Sequence, residues 1–340
     1  MDQNITPQNV RISMPSKGRL MDDTRAFFAD CGISVHQENP RQYEALIPNM
    51  PGVSVLFQRP ADIVVSVRDG SVDFGITGLD VVEERRGDNG EVMVLHDALG
   101  FGGCMLSLAV PTAWTDIQDI AGLQAKAKKM ETPLRVATKY PVLTSRFLQE
   151  RGIDADLIPA EGTLETAPTI GYADLICDIV SSGQTLRENN LRPLNGGMIV
   201  KSQTVLIANR QSLLTKPKCL ETARTLLEFF EAHLRASGDL AVFANIRGES
   251  PEAIAERIFN ECNISGLQGP TISRVITREA DQNWYAVNII VKRSEIMQAI
   301  RDLRAIGGSG VVAMPITYIF DEEPERITAM LEALGKPGKK

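Results

Sequence analysis

The chain has 340 residues, 43% hydrophobic and 23% charged, the composition of a folded protein long enough for two or three domains. Its formal net charge of -7 gives no general attraction for nucleic acid or an anionic membrane, so any polyanion it binds must be held by local donors. No run reaches the roughly 18 apolar residues of a membrane span.

The opening MDQNITPQNV lacks the basic and apolar segments of a secretory signal, which predicts a cytoplasmic location. Cys31, Cys104, Cys177, Cys219 and Cys262 form no CxxC pair and read as reduced structural thiols. The three scattered histidines argue against a zinc site built by the protein.

In chain order, VRISM (10–14) predicts a strand, and PSKGRL a loop. MDDTRAFFADCG predicts a helix closing on Gly32, so an α/β unit opens the chain. VSVLF (53–57) and DIVVSV (62–67) read as β-branched strands. FGIT (74–77) is a third, ending at Thr77-Gly78 before the helix LDVVEERR. VMVLHDALGF and CMLSLAV give two more strands, up to Pro111. Residues 112–132 are polar and predict a helix stopped by Pro133. RVAT, DLIPA and ADLICDIV are strands. VLTSRFLQERG between the first two is a helix capped by Gly152, and TAPTIG a short helical or turn segment. SQTVLIAN is a strand, and 211–237 predicts one long amphipathic helix with Leu226, Leu227, Phe229, Phe230 and Leu234 on its apolar side.

After Gly238 the elements run LAVFANI, SPEAIAERIFNEC, PTISRVI, WYAVNIIV, SEIMQAIRDLRAIGG and VVAMPITYIF. That is β-α-β-β-α-β, the split ferredoxin-like pattern, and it predicts a separate small domain from about 239 onward. The chain shows no internal repeat and no low-complexity segment.

Four stretches could carry chemistry. In DIVSSGQTL (178–186) a strand ends in Ser181, Ser182, Gly183, Gln184 and Thr185: a capped turn, or a phosphate cradle with Asp178 placed for ribose hydroxyls or a metal on the phosphate. The loop is no Walker A, since it lacks the GK[ST] ending. Lys17-Gly18-Arg19 after the first strand is a solvated basic turn or a phosphate clamp. Arg59 between two apolar runs is a surface charge or a cleft residue. Glu165 in EGTLETAP is a helix-start acid or a second carboxylate on the cleft of Asp178. No nucleophile–base motif is present, which fits a reaction whose substrates supply both nucleophile and leaving group.

Together KGRL (17–20), RPADI (59–63), GSVDFGITGLDVVEE (70–84), GFGGCMLSLAVP (100–111), RVATKYP (135–141), EGTLETAP (161–168), GYADLICDIVSSGQTL (171–186) and GPTISRV (269–275) resemble, in order, the ATP phosphoribosyltransferases of histidine biosynthesis. The βαββαβ module makes the chain similar to the long, self-sufficient form. The resemblance implies an α/β fold: a bilobal catalytic core like that of periplasmic solute-binding proteins, plus a ferredoxin-like regulatory domain. The implied bounds are 10–110 with 198–238 for lobe I, 111–197 for lobe II and 239–335 for the regulatory domain. It implies that ATP and 5-phosphoribosyl 1-pyrophosphate condense, with Mg2+ on the pyrophosphate and no metal ligand from the protein. Ser181, Ser182, Gly183, Gln184 and Thr185 would hold the 5-phosphate, and Asp178 and Glu165 the ribose. Arg19, with Lys17, would neutralise phosphate charge, and Arg59, Thr77 and Gly78 would help seat ATP. Leu267, Thr271, Ile290 and Gly310 match the pocket for inhibitory histidine, and dimers joining into hexamers are the family's assembly. SSGQT stands where the family more often has STGxT. The rival readings are a solute-binding protein, an amino-acid sensor without catalysis, and a phosphoribosyltransferase acting on another base.

Overall fold

A computed structural model describes residues 9–336 except 40, 161, 263–268 and 278–282. The chain alternates strands and helices from the start: β1 (Val10–Pro15), α1 (Arg19–Asp30), β2 (Glu44–Leu46), β3 (Val53–Gln58), α2 (Pro60–Arg68), β4 (Phe74–Gly78), α3 (Leu79–Arg85) and β5 (Val92–His96). With β6 (Cys104–Pro111), α4 (Ile120–Ala127), β7 (Leu134–Thr138), α5 (Pro141–Glu150), β8 (Ala155–Pro159), β9 (Leu175–Val180), α6 (Gln184–Glu188) and β10 (Leu191–Ser202) a second sheet is built. Then β11 (Thr204–Asn209) returns to the first.

The first sheet has the order β2-β3-β1-β4-β11-β5. Its strands β3, β1 and β4 are parallel, and β11 runs antiparallel between β4 and β5. The second has the order β10-β6-β9-β7-β8, with β9, β7 and β8 parallel. Parallel strands are buried on both faces, which is why VRISM and LICDIV are mostly apolar, with Val10, Ile12 and Met14 of β1 and Leu175, Ile176 and Cys177 of β9 buried. The lobes are joined by two chain crossings lying side by side. Cys104, opening β6, pairs with Ser202, closing β10, and Thr204 then bonds Phe101 and Leu99 of the other crossing.

α7 (Arg210–Thr215) and α8 (Pro217–Ala236) follow. Then come β12 (Asp239–Arg247), α9 (Pro251–Glu261), β13 (Thr271–Arg274), β14 (Trp284–Lys292), α10 (Ile296–Ala305) and β15 (Ser309–Pro315), and last α11 (Glu325–Ala333). β12 to β15 form an antiparallel sheet of order β13-β14-β12-β15, the ferredoxin-like arrangement. Val242, Ile246, Val287, Ile289, Ile258 and Leu303 form its own core between the sheet and α9 and α10. The chain divides into a unit ending at Glu228, which the segment from Glu323 rejoins, and a second unit, Phe229–Glu322.

Several sequence expectations are corrected. DIVVSV is helix, not strand: Pro60 takes the first helical position, and Ile63, Val64 and Val67 bury one face. In 112–132 only Ile120–Ala127 is helical, started by Asp119, whose carboxylate accepts from Gly122 N. Ahead of it, Arg192 holds the carbonyls of Trp114 and Ile117 in an irregular coil. The long helix 211–237 is two helices, because Pro217 forces Lys216 into an extended conformation. β6 and residues 198–202 belong to the second sheet, not to lobe I. The appended domain does not reach 335. α11 returns to lobe I, where Arg326 pairs with Asp97 at 2.6 Å and the Ala333 carbonyl accepts from Arg210 at 2.8 Å.

Candidate active site

β9 ends at Val180, and the chain turns through Ser181, Ser182 and Gly183 into the five-residue helix α6. Gly183 has φ 70°, a left-handed conformation that a side chain resists. Ser182 Oγ accepts from Gln184 N at 3.3 Å, and Leu186 packs with Ala109 and Leu191, which holds the turn down. Ser181, Ser182, Gly183, Thr185, Asp178 and Glu165 line one small cavity of 60 Å3. Gln184 is drawn elsewhere: its amide donates to Glu188 at 2.7 Å, so its side chain does not line the cavity.

Asp178 lies on the face of β9 shared with Ile176 and Val180 and is half-buried. Burial pushes its carboxyl above the ordinary aspartate value, and the nearby Glu165 adds to the rise. A bond from Ile179 N and the charge of Lys139 oppose it. The entry to β9 is fixed by Arg135 on β7. It donates to both Asp174 oxygens, at 2.8 Å to each, and to the Gly171 carbonyl at 2.9 Å.

On lobe I the predicted residues share the carboxyl edge of three adjacent parallel strands: Lys17 and Arg19 after β1, Arg59 after β3, and Thr77 and Gly78 ending β4. Ligands of open α/β sheets bind at such edges. Lys17, Arg19 and Arg59 are exposed, and among the described residues Arg19 pairs loosely with Asp23 at 3.4 Å. Thr77 differs from expectation. It is fully buried and its hydroxyl faces the Pro60 carbonyl at 3.4 Å, so its side chain shapes the edge from below and is not presented to a ligand. Gly78 is required by its neighbour, since a Cβ there would collide with the Asp80 carboxylate.

That carboxylate brings the edges of the two sheets together. Tyr140, just past β7, donates its hydroxyl to Asp80 at the start of α3 at 2.6 Å, and Ser202 donates to the other oxygen at 2.5 Å. One turn along α3, Glu84 accepts from Val142 N and Leu143 N, both at 2.9 Å, and so caps α5 across the lobe boundary. The strand ends carrying Asp178 and those carrying Lys17 and Arg59 thus border the same cleft. A larger cavity of 740 Å3 at the far ends of α2 and α3 is lined by Arg68, Arg85, Arg86 and Arg146. Two of these are engaged as helix-end partners, Arg68 with the Arg85 carbonyl and Arg86 with Glu83, and the cavity is bordered by the start of β5 at Val92, not by the carboxyl end of a parallel strand.

Two cations escaped the sequence reading. Lys139 follows β7 beside Asp178, and Arg187 places its guanidinium 3.4 Å from where a Gly183 Cβ would stand. Either would have been found by asking which charges follow neighbouring strands at one edge. In the second unit, Thr271 pairs with Asn288, and Ile290, two residues on, lies on the same sheet face, away from α9 and α10. Gly310, with φ 60°, is the second residue of β15, next to Ser309, which pairs with Asn245. Leu267 lies outside the described residues. Among the described residues no group of three or more His, Cys, Asp or Glu is placed to hold a metal ion, and no helix is long and apolar enough to cross a membrane.

This is a two-lobed α/β enzyme of the pentosyltransferase class. Residues 59–231 match the family model described as ATP phosphoribosyltransferase, and 236–318 match that described as HisG, C-terminal domain. "ATP phosphoribosyltransferase 2, chloroplastic" of Arabidopsis thaliana is 43% identical over 96% of this chain and 81% of its own. "ATP phosphoribosyltransferase" of Bradyrhizobium sp. (strain ORS 278) is 32% identical over 95% of this chain and 97% of its own. Among solved structures, the ATP phosphoribosyl transferase (HisG:HisZ) complex from Thermotoga maritima aligns with TM-score 0.51 and 27% identity, over 65% of this chain and 98% of that one. The chain belongs to the ATP phosphoribosyltransferase family, and with both domains present it is the long form.

Proposed function

We propose that the cleft joins ATP to 5-phosphoribosyl 1-pyrophosphate, the first step of histidine biosynthesis. The observation that carries this reading is the cavity uniting Asp178, Glu165 and the Ser181–Thr185 turn at a strand edge, within a chain of this family. The turn takes the 5-phosphate through backbone N–H groups and hydroxyls, which suits a chain with net charge -7. Asp178 and Glu165 accept from ribose hydroxyls and fix C1′. The adenine N1 lone pair bonds to C1′ while the C1′–O bond breaks, its electron pair leaving with pyrophosphate. N1 carries no hydrogen, and the positive charge it gains spreads over the amidine, so no side-chain base is needed at that step. Orientation and charge stabilisation supply the catalysis. Lys17, Arg19 and Arg59 face the triphosphate and pyrophosphate.

Mg2+ fits best as a hydrated ion arriving on the pyrophosphate, where it would neutralise phosphate charge, since the cavity offers only the carboxylates of Asp178 and Glu165. Histidine is the proposed inhibitor, bound on the sheet face that carries Thr271 and Ile290. Asn288 on that face has a buried Oδ1 without a hydrogen-bond partner among the described residues, which suits a polar ligand. Assembly into dimers and hexamers and a cytoplasmic location complete the reading. The test is adduct absorbance on mixing ATP, the phosphoribosyl substrate and Mg2+, with and without histidine. Adduct that forms with ATP and not with free purines or orotate is expected. No adduct refutes the catalytic reading, and adduct that histidine never suppresses refutes the regulatory one.

A further inference from the structure

Lys139 stands where the proposed reaction needs a positive charge and where no expectation had placed one. In the parallel pair β7–β9, Thr138 lies opposite Cys177, so the next residues, Lys139 and Asp178, are neighbours at the carboxyl edge. Alternation puts both on the face of Ala137 and Ile176, the face of the phosphoribosyl cavity. The residues on either side of Lys139 are clamped. Thr138 Oγ1 accepts from Tyr140 N at 2.9 Å, Thr144 donates to the Tyr140 carbonyl at 2.6 Å, and Tyr140 reaches Asp80 on the other lobe. The backbone is therefore rigid, while the ammonium itself is exposed and has no hydrogen-bond or ion-pair partner among the described residues.

Strand order says which end of the sugar it meets. The sheet runs β10-β6-β9-β7-β8. The Ser181–Thr185 turn leaves β9 toward β6 and β10, where Leu186 packs with Ala109 and Leu191. Lys139 is on the opposite side of β9, on β7. A ribose held over Asp178 with its 5-phosphate in the turn directs C1′ toward Lys139. We propose that Lys139 is a further catalytic residue that contacts the pyrophosphate of the phosphoribosyl substrate and takes up the charge developing on it as the C1′–O bond breaks. This rests on the reading of the cavity given above.

The charges around Asp178 define the competing role. Lys139 faces it from β7, Glu165 from the turn before β9, Cys177 adjoins it on its own strand, and the Tyr140 hydroxyl lies beyond. A lysine that only kept Asp178 ionised would serve the ribose, not the pyrophosphate. The experiment therefore compares two probes on the full chain by calorimetry: pyrophosphate with Mg2+, and ribose 5-phosphate. Lys139→Met is expected to weaken pyrophosphate about tenfold or more and to lower kcat by about a hundred- to a thousandfold, the range of one lost charge stabiliser. Binding of ribose 5-phosphate should stay within about twofold, since that probe makes no contact with the removed charge. Lys139→Arg should restore most of the pyrophosphate affinity. Parallel weakening of both probes, or unchanged pyrophosphate binding, overturns the proposal. Failure of the wild-type chain to make adduct or to bind ribose 5-phosphate would instead overturn the reading of the cavity.

Discussion

Gly183 shows what a single residue can settle. Its φ of 70° leaves little room for a side chain, and a Cβ would meet the Arg187 guanidinium at 3.4 Å. Gly183→Ala should cost about 1 kcal/mol of local strain, because a Cβ disfavours the left-handed backbone of the turn. In steady-state assays the KM for the phosphoribosyl substrate is expected to rise several-fold while that for ATP stays level. Equal effects on both would mean that the turn faces ATP. The grouping of Ser181, Ser182, Gly183 and Thr185 at one strand end was legible because a strand running into small hydroxyl residues is a local pattern. Lys139 and Arg187 were not. A lysine after a strand looks like any solvated end, and its meaning depends on which strand folds up beside it. The burial of the Thr77 side chain was not legible for the same reason: sequence puts it at a strand end, but only packing turns its hydroxyl under Pro60.

Among elements, strand-and-helix order was read well and local helix chemistry less so. β-branched residues drew 62–67 toward strand, yet Pro60 and the spacing of Ile63, Val64 and Val67 favour a short amphipathic helix. The break at Pro217 was visible in the sequence, and the apolar stripe across it masked it. The α3–α5 clasp could not have been read, because Glu84 and Val142 are 58 residues apart. Its strength follows from burial and charge. A carboxylate 7% exposed accepts from two first-turn N–H groups that would otherwise be orphaned. Glu84→Gln keeps the shape but sets an amide NH2 against one of those donors. A loss of about 1–3 kcal/mol is expected, measured as a lowered urea midpoint with an unchanged slope. A neutral result would mean that water replaces the carboxylate and that the lobes do not depend on this clasp.

At the scale of the whole chain, the second unit is an insertion: unit 1 closes only when α11 returns after Glu322. The split ferredoxin pattern announced the inserted domain. The return of its C-terminal flank was not legible, since α11 is a short amphipathic segment whose docking site on β5 lies more than 200 residues earlier. The docking leaves a titratable mark. His96, 2% exposed, accepts from Ala98 N through Nδ1, which requires the neutral ring. Burial and the Arg326 guanidinium hold its pKa at about 4, against the pull of Asp97. The unfolded ring binds its proton near 6.5. Between those values the unfolded state therefore carries more protons than the folded one, and stability falls as pH falls. The contribution is fully present above about pH 6.5, declines through the window, and is gone below about 4, a loss of the order of 3 kcal/mol at about 1.4 kcal/mol per unit. Urea unfolding at pH 7 and pH 5 measures it. His96→Gln should flatten that difference, and Arg326→Ala should shrink it, because removing the cation lets the folded ring take its proton earlier. If the wild type and both variants lose stability alike on acidification, the carboxylates dominate, and the return of α11 does not govern the ionisation of His96.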